Sequence, residues 1–68
     1  MTATERVTRN IAKLVKENGT PCAELGKACE VTPRMIAYII KGVKIPSILL
    51  AEQIAEFYGI DITELFKA

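Results

Sequence analysis

The chain has 68 residues, 50% hydrophobic and 25% charged, with nine Lys and Arg against eight Asp and Glu for a net charge of +1. At that size folding buries only about 60% of the unfolded surface, so a single domain with one small core is expected over residues 1–68. The composition is globular rather than disordered, no apolar run approaches the roughly 18 residues of a membrane span, and the opening "MTATERVTRN" carries no secretory signal, which predicts a cytoplasmic protein.

Helical periodicity governs the chain from its start. Val7, Ile11, Leu14 and Val15 form one apolar stripe, with Arg6, Arg9, Lys13, Lys16 and Glu17 on the other face, predicting a first helix over about 4–17 that stops at Asn18-Gly19. In "TPCAELGKAC", Thr20 is a capping type and Pro21 suits a first helical position. A second helix is therefore predicted over 21–29, with Leu25, Ala28 and Cys29 inward. "VTPRMIAYIIKG" repeats the Thr-Pro device, predicting a third helix over 32–41 with Ile36, Ile39 and Ile40 inward and Gly42 at its end. Ser47 and Gly59 bracket a fourth helix over 47–58, whose core side is Ala51, Ile54, Ala55 and Tyr58. Asp61 and Glu64 have the spacing of a capping box, opening a short fifth helix over 62–66 that packs Ile62, Leu65 and Phe66. Nothing reads as a strand, a repeat or a linker. The expected fold class is all-α, a compact five-helix bundle.

Cysteine and charge narrow the chemistry. Cys22 and Cys29 stand seven residues apart, about 10 Å along a helix axis, too far for a disulfide. Without histidine or a close cysteine pair a zinc site is not expected, nor is any other cofactor. The small net charge conceals an asymmetry. Residues 1–44 hold eight basic and four acidic side chains, whereas residues 45–68 hold Lys67 against Glu52, Glu56, Asp61 and Glu64. One basic end is compatible with docking on phosphates.

Leu25, Gly26, Cys29, Val31, Ile36 and Ile39 occupy the fourth, fifth, eighth, tenth, fifteenth and eighteenth places of a stretch that begins at Cys22. Two helices crossing at about 90–120° through a short turn need such a pattern: a tiny residue at the contact and apolar residues locking both helices to one core. With "NGTPCAELGKACEVTPRMI", "KGVKIPS" and "AEFYGIDITELF", the chain resembles the phage-repressor and Cro type of helix-turn-helix domain, the lambda-repressor-like XRE family, from about Arg9 to Phe66. Three positions depart from the family. Cys22 stands where a phosphate-bonding Gln is usual, and a thiol donates poorly. Glu30 replaces the usual turn glycine, so it either takes the left-handed conformation or bends the turn differently. Val15 and Ile40 fill the places of a buried Arg-Glu pair, a joint replacement that leaves no charge unpaired.

The resemblance implies that the third helix enters the major groove with Thr32, Pro33, Arg34, Ala37 and Tyr38. Arg34 is the strong reader, since its fork matches O6 and N7 of guanine, worth about 1–3 kcal/mol of discrimination. Tyr38 suits a phosphate or a thymine methyl, and Pro33 and Ala37 offer apolar contact. Lys41, Lys44, Lys27, Arg9, Lys13 and Cys22 are expected along the phosphates. Two half-sites about 34 Å apart call for a homodimer, and Leu49, Leu50, Gln53 and Phe57 on the fourth helix are its expected seam. The implied function is a DNA-binding transcriptional regulator, most simply a dimeric repressor on double-stranded DNA, with no membrane or small-molecule partner. The alternative is a protein-interaction module of antitoxin-like or adaptor kind that keeps the fold with little base reading. An enzyme is not expected, because no nucleophile lies beside a base and no glycine loop cradles phosphate.

Overall fold

The computed structural model describes residues 2–68; Met1, part of the expected domain, lies outside them. The chain forms α1 (Ala3–Asn18), α2 (Cys22–Ala28), α3 (Pro33–Ile40), α4 (Ile48–Phe57) and a 3-10 helix (Ile62–Phe66), with no strand among the described residues. The all-α expectation holds, but the fifth element is a tight 3-10 helix rather than a fifth α-helix. Its start explains why. The Asp61 carboxylate accepts from both the backbone N–H and the hydroxyl of Thr63, each at 2.9 Å, while Glu64 turns away to pair with Lys67, so the expected capping box does not form.

A capping box does form at the other end of the chain. Thr2 Oγ1 accepts the Glu5 N–H at 3.2 Å, and the Glu5 carboxylate accepts the Thr2 N–H at 2.9 Å, satisfying two of the donors that a helix start leaves open. Thr32 and Ser47 cap α3 and α4 as expected, accepting from Met35 and Leu50 at 3.1 Å. The start of α2 is a correction. Pro21 is the cap residue and Cys22 the first helical one, and the Thr20 hydroxyl instead accepts a 2.8 Å bond from Tyr58 Oη, pinning the α1–α2 turn to the end of α4.

All four α-helices close in the same way. A residue at the cap (α1) or just after it (α2, α3, α4) turns left-handed and two backbone N–H groups fold back on the last turn, as in Val31 N–H to Gly26 at 2.8 Å and Glu30 N–H to Lys27 at 3.3 Å. In α1, α3 and α4 the left-handed residue is glycine; in α2 it is Glu30, at φ +59°. Of the two turn geometries open to Glu30, the chain takes the left-handed one.

The core draws on every element. Ile11 of α1, Leu25 of α2, Ile36 and Ile39 of α3, Ile54 of α4 and Leu65 of the 3-10 helix are essentially sealed from water, each worth about 1.5–3 kcal/mol by burial. Val15 is in this core and Ile40 packs on it, so the apolar replacement expected at those places is accommodated. Gly26 sits where α2 meets the start of α3: a Cβ there would lie 2.7 Å from the Val31 carbonyl oxygen and 3.2 Å from the Pro33 nitrogen. Three assignments of face are corrected. Ala28 is exposed, Leu50 is buried in the core at 8% exposure, and Phe66 stays at the surface. Two α1 side chains tie down the C-terminal segment: Asn10 Nδ2 donates to the carbonyls of Leu65 and Lys67 at 2.7 Å, and Arg6 Nε donates to that of Phe66 at 3.1 Å.

Candidate nucleic-acid interface

α3 presents two unlike faces because its apolar residues recur at helical spacing. Ile36 and Ile39 point into the core with Met35 and Ile40 packed at its margin. Arg34, Ala37, Tyr38 and Lys41, at i, i+3, i+4 and i+7, therefore form a common face turned the other way. Thr32, Pro33, Arg34 and Lys41 are exposed, and Ala37 and Tyr38 are half-buried at the edge of that face. Arg34 has no hydrogen-bond or ion-pair partner among the described residues, and the first turn of α3 carries no acidic side chain. A guanidinium on such a surface is available to a ligand.

The turn before the helix and the loop after it hold this face in place. Thr32, itself exposed, spends its hydroxyl on the Met35 N–H. Beyond α3, the Tyr38 carbonyl accepts from Val43 at 2.8 Å and from Lys44 at 3.3 Å, so the loop carrying exposed Lys44 folds back against the last turn of α3. Arg9 and Lys41 come together around one groove with Thr8, Ala12 and Ile40. Lys13 does not join them; it lines a depression with Asn10, Glu17, Glu64 and Lys67 on the side of α1 that faces the C-terminal segment. Lys27 is exposed in the last turn of α2. Cys22 opens α2 half-buried against the core, and burial pushes the Cys29 thiol up, away from thiolate chemistry.

A basic, exposed α3 set across α2 by a four-residue turn is the geometry of one known family, and a family model described as helix-turn-helix matches residues 11–65. The chain belongs to the XRE/Cro-type helix-turn-helix family. No curated protein and no solved structure matches it. In this helix-turn-helix domain α2 and α3 are the two helices of the motif. The family is one of DNA-binding regulators rather than enzymes, and no helix among the described residues is long and apolar enough to cross a membrane.

The expected seam residues lie apart from one another in character. Leu49 is 66% exposed, but Leu50 is in the core, Gln53 is half-buried, and the Phe57 ring packs edge-on against Tyr58 with centroids 5.0 Å apart. The sequence reading passed over Ile45 and Ile48, exposed at 72% and 66%. A signal for them was present: from Lys44 to Glu52 the run "IPSILLA" carries no charge, and the core needs only part of it.

Proposed function

We propose that this helix-turn-helix domain is a sequence-specific DNA-binding transcription regulator of the cytoplasm, acting as a dimeric repressor with α3 in the major groove. The observation that carries the reading is Arg34, exposed and without a partner among the described residues, on a helix whose first turn has no acidic side chain to repel phosphate. In this reading Arg34 bonds a guanine edge, with Pro33, Ala37 and Tyr38 packing on neighbouring bases. Thr32, Lys41, Lys44 and Arg9 hold phosphates, and Lys27 and Cys22 lie at the periphery. Lys13 contributes at long range only. Catalysis has no place in this scheme, and no cofactor is required.

Selection of bound fragments from random duplex DNA at two salt concentrations tests it. A two-fold symmetric motif containing guanines is expected, with affinity falling steeply as salt rises. No enriched motif at either salt overturns the proposal. The adaptor or antitoxin-like alternative draws on the exposed apolar residues near the start of α4. It predicts no selected motif together with capture of a protein partner that survives Arg34→Ala.

A further inference from the structure

The groove that brings Arg9 and Lys41 together has a property that phosphate docking does not need. It encloses about 720 Å³, within the roughly 300–1,000 Å³ usual for sites that hold a small molecule on apolar walls with a few polar groups. One wall is the α1 surface at Thr4, Thr8 and Ala12; the other is Ile40 and Ile45. Ile40 is only half-buried against the core and Ile45 is exposed, so both leave aliphatic surface in the groove. A phosphate held by two cations gains nothing from such a floor. A ligand with an apolar body does.

Charge selects the other end of that ligand. Arg9 and Lys41 are exposed and have no side-chain hydrogen bond or ion pair among the described residues. The other polar groups are already engaged: Glu5 and Thr2 hold one another in the capping box, and the Thr8 hydroxyl donates back to the Thr4 carbonyl at 3.0 Å. Two cations against the single Glu5 carboxylate leave the groove one positive charge in excess, which a monoanion balances. We infer that this groove binds a small amphiphilic carboxylate, a medium-chain fatty acid in chemical class, with the carboxylate on Arg9 and Lys41 and the chain along Ala12, Ile40 and Ile45. An arginine fork matches both carboxylate oxygens and a lysine adds a point charge, while each methylene laid on apolar surface adds affinity.

The expectation of no small-molecule partner came from local signals, and this groove has none, because its walls come from residues 2–12 and 40–45. Its consequence for DNA rests on the proposed function, in which Arg9 and Lys41 hold phosphates. A carboxylate on the same two side chains neutralises them, so the ligand and the duplex exclude each other and each weakens the other by the same factor. The site itself stands or falls without DNA.

Titration of octanoate into the intact protein, followed by amide chemical shifts, tests the site. Saturable one-to-one binding is expected, with shifts confined to α1, the end of α3 and the loop as far as Ile45. Shortening the chain to hexanoate weakens binding about two- to fourfold per methylene, and 1-octanol, of the same length without the charge, binds about 10-fold more weakly. The Arg9→Gln, Lys41→Gln protein loses about 10-fold and Ile45→Ser about fivefold. All three positions are exposed, so the helical circular dichroism stays unchanged. No saturation by octanoate, equal binding of 1-octanol, or undiminished affinity in the double variant overturns the inference. Binding to phosphatidylglycerol vesicles without binding to monomeric octanoate also overturns it, in favour of a lipid surface. On the selected duplex, octanoate at ten times its dissociation constant lowers affinity about 10-fold, whereas acetate at equal ionic strength does not. Octanoate binding with duplex affinity unchanged overturns the exclusion, and a protein that binds octanoate but selects no duplex sinks the proposed function alone.

Discussion

Two residues in the α2–α3 unit show backbone sterics acting in opposite directions. At Gly26 a side chain has nowhere to go, because the atoms that a Cβ would meet belong to the backbone of Val31, Thr32 and Pro33. Gly26→Ala is expected to force α2 and α3 apart and to cost about 1–3 kcal/mol in urea unfolding, the usual penalty of overpacking. Glu30 is the reverse case, an L-residue held at φ +59° where the other three helices have glycine. Glu30→Gly relieves the left-handed strain but adds freedom to the unfolded chain, so a net gain of about 0.5–1 kcal/mol is expected in the same assay. It also removes the carboxylate nearest in sequence to α3.

Among the elements, α1 and the 3-10 helix both start on a side-chain cap, and polar side chains of α1 join the two. Asn10→Ala leaves the Leu65 carbonyl, part-buried at the α1 surface, without its side-chain donor. A loss of about 1–2 kcal/mol is expected, together with faster amide exchange over residues 62–67. The caps also set the acid response. The Thr2 backbone N–H, with its hydroxyl, holds the Glu5 carboxyl below its ordinary pKa, and the Thr63 backbone N–H, with its hydroxyl, does so for Asp61. Both groups bind protons less readily folded than unfolded, so their contribution is complete above the ordinary carboxylate range and disappears as pH falls through the lowered folded values. Unfolding free energy measured stepwise down through that range should decline. The decline should be shallower in a Glu5→Gln, Asp61→Asn protein.

For the molecule as a whole, the separation of basic and acidic ends acquires a spatial meaning. The exposed cations Arg34, Lys41 and Lys44 lie on or beside α3, and Arg9 shares a groove with Lys41. Glu52 and Glu56 lie on α4, and Glu64 on the 3-10 helix. On the proposed reading the cations act in two distinguishable ways. Lys44→Ala should weaken binding to matched and mismatched duplexes alike and reduce the salt slope by about one, whereas Arg34→Ala should cost about 1–3 kcal/mol on the selected site and relax the preference at a single base pair. Titrations of both variants against matched and altered duplexes at several salt concentrations check the division. Equal losses from the two variants on both duplexes would assign Arg34 to phosphate instead.

Much of this protein could be read before its coordinates, and the legible part has a common physical origin. Helical periodicity, the Thr-Pro and Ser starts, and glycines after Asn18, Lys41 and Tyr58 are local signals, because caps and turns are made by residues within a few positions of one another. They placed the α-helices to within a few residues and picked out the outward face of α3 together with Arg34. What could not be read depends on partners distant along the chain. Asn10 meets Leu65 across 55 residues, and Thr20 forgoes capping for Tyr58 across 38. The short apolar run of α4 was the hardest case: Leu50 turns inward while Ile48 and Leu49 turn out, and periodicity offers no preference among three consecutive aliphatic residues. Packing of α4 against α2 and the 3-10 helix made that choice, and with it decided which surface the folded molecule leaves open.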